Sequence, residues 1–232
     1  MKNIFYLFLL FSIISCSKKE SDLIVKANVK GLKKGTIYLK KIEDTMLVTV
    51  DSMVISGNSE IELYSDIESP EVFYLYLDKN SAIKDRITFF ADKGVTEITT
   101  SVKNFAGDAI IKGSTQQETF SDYQKMITRF NQQNLDLIKE TFEAKKAGDS
   151  IKVDSIQKMY EKNIKRKYLF TVNFALNNKN SEVAPYLALS EIYNAKINYL
   201  DTINNSLSEK VKSSKYGKEL QKFIDNIKAT EN

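Results

Sequence analysis

The chain contains no histidine and no tryptophan, one cysteine, Cys16, and two prolines in 232 residues. Without histidine or a spare thiol, the usual zinc and copper ligands are missing. Ser–His and Cys–His nucleophile pairs cannot be built. Only Asp, Glu, Lys and Tyr remain for proton transfer. Charge of one sign is also scarce. The formal net charge is +4, and lysines and glutamates are interspersed, so no basic stripe for nucleic acid exists. No metal, cofactor or catalytic residue is expected. What the chain has is hydrophobic residues, 42% of the total, with 12 Tyr and 13 Phe. That supports a packed core in one or two domains.

The only long apolar run is N-terminal. Met1-Lys2-Asn3 precedes Ile4 to Ile14, a positive start and an apolar stretch of about ten residues, as in a secretory signal. It is short of the roughly 20 residues that a span requires. The run ends Ile13-Ile14-Ser15-Cys16, which resembles the bacterial lipobox. The resemblance implies that the thiol of Cys16 takes a diacylglycerol, that the bond before it is cut, and that acyl chains hold the protein on a membrane. Residues 1–15 are then a lipoprotein signal peptide and 16–22 a lipidated tether. Lipidation would leave the mature chain without a thiol, so no disulfide or redox centre is expected. Ser17-Lys18-Lys19-Glu20 lacks the acidic run that often marks surface export. The expected location is the outer membrane, facing the periplasm.

From Leu23 to Lys112 the hydrophobic period is two. Strands are expected at Leu23–Val29, Thr36–Lys40, Leu47–Ile55, Glu60–Tyr64, Val72–Leu77, Ile87–Ala91, Val95–Thr100 and Ala109–Ile111. The turn Ser56-Gly57-Asn58 reads as joining the third and fourth in a hairpin. The nearly unbroken apolar fifth strand reads as covered on both faces. Turns every 8–12 residues or so suggest an antiparallel sandwich or barrel-like domain over 23–113. At Gly113 the period changes. Ser114 with Gln117 and Thr115 with Glu118 are overlapping capping boxes. Phe120, Tyr123, Ile127, Phe130 and Leu137, with Asn134 in the same stripe, predict a helix to Ala147 that breaks at Gly148. A second helix starts near Asp149 with the stripe Ile156, Tyr160, Ile164, Tyr168, Val172 and Ala175. A third is capped by Ser181, and a last one spans 215–228. The fold class is α+β, with a helical region over 114–232.

Four groups of residues could carry function. Asp51-Ser52 could bind a cation or ligand, but is read first as closing a turn or satisfying a bulge. Glu140 and Glu143 share a helix face and read as solvated. Tyr74 and Tyr76, on one face of the fifth strand with Val72, could bind sugar or peptide, with core packing the simpler reading. Phe120, Tyr123, Ile127 and Phe130 could form a partner-binding helix, or pack against the second helix.

The β half resembles the domain of unknown function 4369 of Bacteroidota thioredoxin-like lipoproteins. The residues that carry this are Gly31 and Gly35 before Thr36-Ile37-Tyr38-Leu39, Val50-Asp51-Ser52, Gly57, Pro70, and Ile111-Lys112-Gly113-Ser114. Asn180-Ser181-Glu182-Val183-Ala184-Pro185-Tyr186 and Ser214-Lys215-Tyr216-Gly217-Lys218 are similar to the helical linker of the same lipoproteins. In that family a thioredoxin domain with C-x-x-C follows the linker, and here the sequence ends at Asn232, about where it would begin. The family's catalytic residues therefore have no counterpart. Thiol–disulfide exchange requires a thiolate attacker, so no redox activity is expected. The expected function is that of a non-catalytic envelope lipoprotein, held on the membrane by its lipid and binding a partner protein or small ligand. The alternatives are an accessory that docks a separately encoded thioredoxin-like oxidoreductase, and a carboxylate-based hydrolase.

Overall fold

The computed structural model describes residues 21–57, 60–78 and 85–231. Eight strands come first: β1 Leu23–Lys30, β2 Lys34–Glu43, β3 Met46–Ser56, β4 Ile61–Ser65, β5 Glu71–Tyr76, β6 Ile87–Ala91, β7 Gly94–Ser101 and β8 Ile110–Lys112. Six helices follow: α1 Thr115–Lys146, α2 Ser150–Asn177, α3 Val183–Ser190, α4 Ile197–Ser206, α5 Glu209–Lys212 and α6 Lys215–Glu231. The α+β class is as expected, and α4 and α5 had no counterpart in the sequence pattern.

The strands form two four-stranded sheets, ordered β4-β1-β7-β8 and β3-β2-β5-β6. They pack as a sandwich and do not close into a barrel. Leu23, Val25, Leu39, Leu63, Phe73, Leu75 and Phe89 point between the sheets and make the core. One pair departs from the antiparallel expectation: β1 and β7 run parallel over their whole length. The expected β3–β4 hairpin is also corrected, because β3 pairs with β2 and β4 pairs with β1. At Gly57, φ +90°, the chain crosses from one sheet to the other. The tight hairpin lies one strand earlier. Asp44 and Thr45 both hold positive φ, 45° and 77°, as a two-residue turn matching the twist of its strands requires.

The outer faces of the two sheets differ. In the β4-β1-β7-β8 sheet, Lys26, Asn28, Glu97 and Thr99 are exposed, so the strands alternate apolar-in and polar-out. In the other sheet every residue of β5 is buried, as its unbroken apolar run predicted. Val72, Tyr74, Tyr76 and Phe90 turn outward and pack against Phe120, Tyr123, Val183, Leu187 and Tyr216 of the helices. Phe90 meets Phe120, Tyr186 and Tyr216 edge-to-face, with centroids 5.4 to 5.9 Å apart.

The helices are tied down by polar groups that complete open valences of the sheet. On the edge strand β6, the Phe90 N–H donates to Gln117 Oε1 at 2.7 Å. Ser114 caps α1 by accepting from the Gln117 N–H. The expected capping box is thus half formed, with the Gln117 side chain spent on the sheet. Asp92 accepts from Ser114 Oγ and the Thr115 N–H, at an end of the helix that favours negative charge. Each residue of Ser214-Lys215-Tyr216-Gly217 has a task. Ser214 Oγ donates to Val211 O. Lys215 pairs with Glu71 and donates to Ile42 O. The Tyr216 hydroxyl accepts from the Val72 N–H at 3.0 Å. A Cβ on Gly217 would lie 2.0 Å from Val211 O, so no larger residue fits.

The helices α1 and α2 form a long antiparallel hairpin, turning at Gly148 with φ +71° and Asp149, whose carboxylate caps α2 at Lys152 N. At 1.5 Å per residue the 32 residues of α1 span about 48 Å. Buried and partly buried positions of α1 recur at 120, 123, 127, 130, 134, 137, 141 and 144, and those of α2 at 153, 156, 160, 163, 167, 170 and 174. The alternating steps of three and four make this an antiparallel coiled-coil seam. The seam of α2 therefore differs from the expected stripe, which stepped by four and drifted off it. Ile164 is exposed, while Tyr168, Val172 and Ala175 face α3 and α4 instead. Midway, Asn163 Nδ2 donates to Asn134 Oδ1 at 2.7 Å and to Phe130 O. A buried amide pair of this kind fixes register.

Candidate functional site

The structure distributes the sequence candidates among structural tasks. Asp51 lies at a bulge in β3, where the register with β2 shifts between Leu39 and Lys40. Its Oδ1 accepts from the Ser52 N–H and its Oδ2 from the Tyr64 N–H, both at 2.8 Å. Since β3 and β4 are edge strands of different sheets, Oδ2 ties the two edges together while Oδ1 is spent within β3. Unpaired edge groups invite strand addition, and Asp51 fills two of them.

Tyr74 and Tyr76 are buried at the sheet–helix junction, and their rings already carry cations of this chain. The Arg86 guanidinium lies 3.9 Å from the Tyr74 ring centroid and donates to the Tyr76 hydroxyl. The Lys40 ammonium lies 4.4 Å from the Tyr76 ring centroid. Burial raises the phenols of Tyr123, Tyr186 and Tyr216 far above the ordinary tyrosine range, so none is a base near neutral pH. Phe120, Tyr123 and Phe130 are core residues. Tyr123 stacks on Phe170, and its hydroxyl shares a hydrogen bond with Thr171 Oγ1 at 2.9 Å. Glu140 and Glu143 are exposed on the flank of α1. Cys16 lies outside the described residues. Among those residues no cluster of three or more His, Cys, Asp or Glu is placed to hold a metal, and no helix is long and apolar enough to cross a membrane.

Two surface features were not foreseen. The first is an open cleft of about 710 Å³, where β4 has stopped at its pairing of Ile61 with Ala27 and β1 runs on to Lys30. Lys30, Lys33, Glu60 and Glu97 ring it, and Lys26 pairs with Glu62 at 3.0 Å. The Glu62 carboxylate holds the Lys26 ammonium above the ordinary lysine range. Its charges are mixed and solvated, suited at most to a small polar ligand.

The second feature lies along the outer half of the hairpin. There Leu137, Ala144, Ile156, Val153 and Tyr160 form a small core of the two helices alone. Beside it Leu135, Ile138 and Phe142 are 52%, 51% and 66% exposed, and Ile164 is 43% exposed. The first three step by three and four, so they form a second apolar seam on α1, next to the one used by α2. That stepping is visible in the sequence once the first seam is assigned. Together the four side chains expose roughly 400 Å² of apolar surface, in the range of the largest patch on a typical monomer, which is often functional.

The architecture is that of an α+β protein, a two-sheet sandwich whose covered face docks a helical cap. In sequence, residues 23–120 match the family described as Domain of unknown function (DUF4369). The match covers the sandwich and the first turns of α1, and it bears out the resemblance of the β half to that domain. No curated protein and no solved structure matches the chain.

Proposed function

We propose that this protein is a lipoprotein of the bacterial envelope, anchored through Cys16, that works by binding a protein partner and not by catalysis. The anchor rests on the apolar run 4–14 and its junction Ser15-Cys16. One observation carries the binding reading, the apolar seam Leu135-Ile138-Phe142 on α1 of a hairpin whose α2 also exposes Ile151, Met159 and Leu169. Leu135, Ile138 and Phe142 keep half or more of their surface in water, which a partner would remove. Where acidic and phenolic groups do gather among the described residues, as Glu71, Glu219 and Tyr216 do about Lys215, the Glu71 carboxylate is already held by Lys41 and Lys215 at the root of α6. The lipid would hold the protein on the periplasmic side of the outer membrane, with the hairpin free to meet its partner.

Two measurements test this in the native host. A fatty-acid probe should label the wild-type chain and not Cys16→Ala, and equal label would remove the anchor. A photo-crosslinking residue at Phe142 should give a discrete protein adduct in intact envelopes, and one at the exposed Lys103 should give none. The same product from both positions, or none from Phe142, would remove the binding reading.

A further inference from the structure

The geometry points to the end of the sandwich that carries the β2–β3 turn as a surface laid against the lipid bilayer. This rests on the anchor through Cys16 proposed above and adds a second membrane contact to it. The described residues begin at this end, with Ser21 and Asp22. Leu23 of β1 is paired with Ser65, the last residue of β4, and with Gly94, the first of β7. In the other sheet Glu71, the first residue of β5, is paired with Ala91, the last of β6. Asp92 and Lys93 alone join β6 to β7, so these strand ends coincide. Because β2 is antiparallel to β5, the turn at Asp44-Thr45 lies there too. The five residue steps from Cys16 to Ser21 span at most about 18 Å. A lipid on Cys16 therefore keeps this end of the sandwich close to the headgroups.

The β2–β3 hairpin projects from that end. Pairing of β2 with β5 stops at Lys41 and Phe73, whereas pairing with β3 continues to Glu43 and Met46. One rung further, Ile42 would face Val72, but α6 takes both of their backbone groups. The Val72 N–H donates to the Tyr216 hydroxyl at 3.0 Å, and Ile42 O accepts from Lys215 Nζ at 2.9 Å. The end released in this way leaves Met46 67% exposed, and Ile42 and Leu47 43% each. Ile42 and Leu47 are register partners, so their side chains share one face. The charges on these strand ends are mixed and lean acidic. Glu43 pairs with Lys41, Lys93 with Asp22 and Lys215 with Glu71, while Asp44, Asp66 and Glu68 are exposed carboxylates. The attraction is therefore burial of the apolar side chains among lipid, under zwitterionic headgroups, and not a pull towards an anionic surface. Three side chains are a weak anchor alone. Held beside the bilayer by a lipid a few residues away, they act at high effective concentration, and a weak contact suffices. Two contacts fix which way the protein stands on the membrane, as a single lipid does not.

The test places a photo-crosslinking residue at Met46 or at Val54 of the full chain, in intact envelopes and in the purified chain reconstituted into phosphatidylcholine vesicles. Val54 lies on the same strand and is 74% exposed, but eight residues of strand put it about 26 Å from Met46. Phospholipid adducts are expected from Met46, and several-fold fewer from Val54. Ile42→Ser with Leu47→Ser, both at exposed sites, should lower the Met46 yield several-fold. Equal lipid adducts from the two positions, none from Met46, or a protein adduct from Met46 in place of lipid would overturn the proposal. Fatty-acid labelling separates this contact from the anchor. A labelled chain that gives no lipid adduct at Met46 removes the contact and leaves the anchor standing, and an unlabelled chain removes both.

Discussion

Phe120 and Phe142 belong to the same helix, near its two ends, and are 5% and 66% exposed. The first lies in a buried aromatic cluster shared by β5, β6, α1, α3 and α6. The second lies on a two-helix arm whose own core is five residues. The root of the hairpin is thus fixed by burial and by hydrogen bonds that complete the sheet edge. The outer half is held by its coiled-coil seam alone and keeps apolar surface in water. Burial at the root explains why the tyrosine face of β5 is structural. Exposure along the outer half has no structural explanation, which is why the functional reading rests there.

The comparison breaks most visibly if the root is disturbed. Glu71 is buried between Lys41, at 3.1 Å, and Lys215. Replacing both lysines with methionine leaves its carboxylate unpaired, and about 3–5 kcal/mol should be lost. Adding Glu71→Leu should recover most of it, because an apolar trio of similar volume replaces a buried ionic one. Urea midpoints of the three chains measure both effects, and a double lysine variant as stable as wild type would show that this cluster does not hold α6 to the sheet.

A smaller effect belongs to Glu182, just ahead of α3. It is 1% exposed, and its Oε2 has no hydrogen-bond partner among the described residues. Burial raises its carboxyl above the ordinary range. Its own backbone N–H and Lys210 pull it down, and Asp92 pushes it up. A folded-state value above the unfolded one means that stability is fully present below the unfolded value and is lost as pH rises through the folded value. Glu182→Gln should therefore be more stable than wild type at pH 8, by about 1 kcal/mol for relief of a buried unpaired group. The gain should fade towards pH 4. A gain that grew on acidification would contradict this sign.

Much of the fold was legible because it is local. The period-two runs gave all eight strands, and β5 read as doubly covered because six consecutive residues offer no polar face. Ser114 and Asp149 marked helix starts through side chains that accept from N–H groups three residues on. Strand pairing was not legible in the same way. Ser56-Gly57-Asn58 has turn chemistry, but whether the next strand folds back or changes sheets depends on β1, which is remote in sequence. Asp44-Thr45 hid the real hairpin because neither residue is glycine. Parallel pairing of β1 with β7 leaves no local mark. On α2 a stripe stepping by four tracks one face only briefly, and the seam steps by three and four. The roles of Asp51, Tyr74 and Tyr76 were readable as structural alternatives, while the cleft beyond Ala27 required knowing where β4 ends. The apolar seam of α1 was present in the spacing of Leu135, Ile138 and Phe142, and became distinct only once the first seam was assigned.

The most direct test deletes the same ring at both ends of one helix. Phe120→Ala and Phe142→Ala remove identical atoms from α1, so helix propensity and chemistry cancel in the comparison. Urea unfolding should show a loss of about 3–5 kcal/mol for Phe120→Ala, the range for a buried phenylalanine. For Phe142→Ala the change should stay within about 0.5 kcal/mol, as at an ordinary surface site. Comparable losses from the two variants would mean that Phe142 is part of the folded core, and the outer seam would then have no claim as a binding surface.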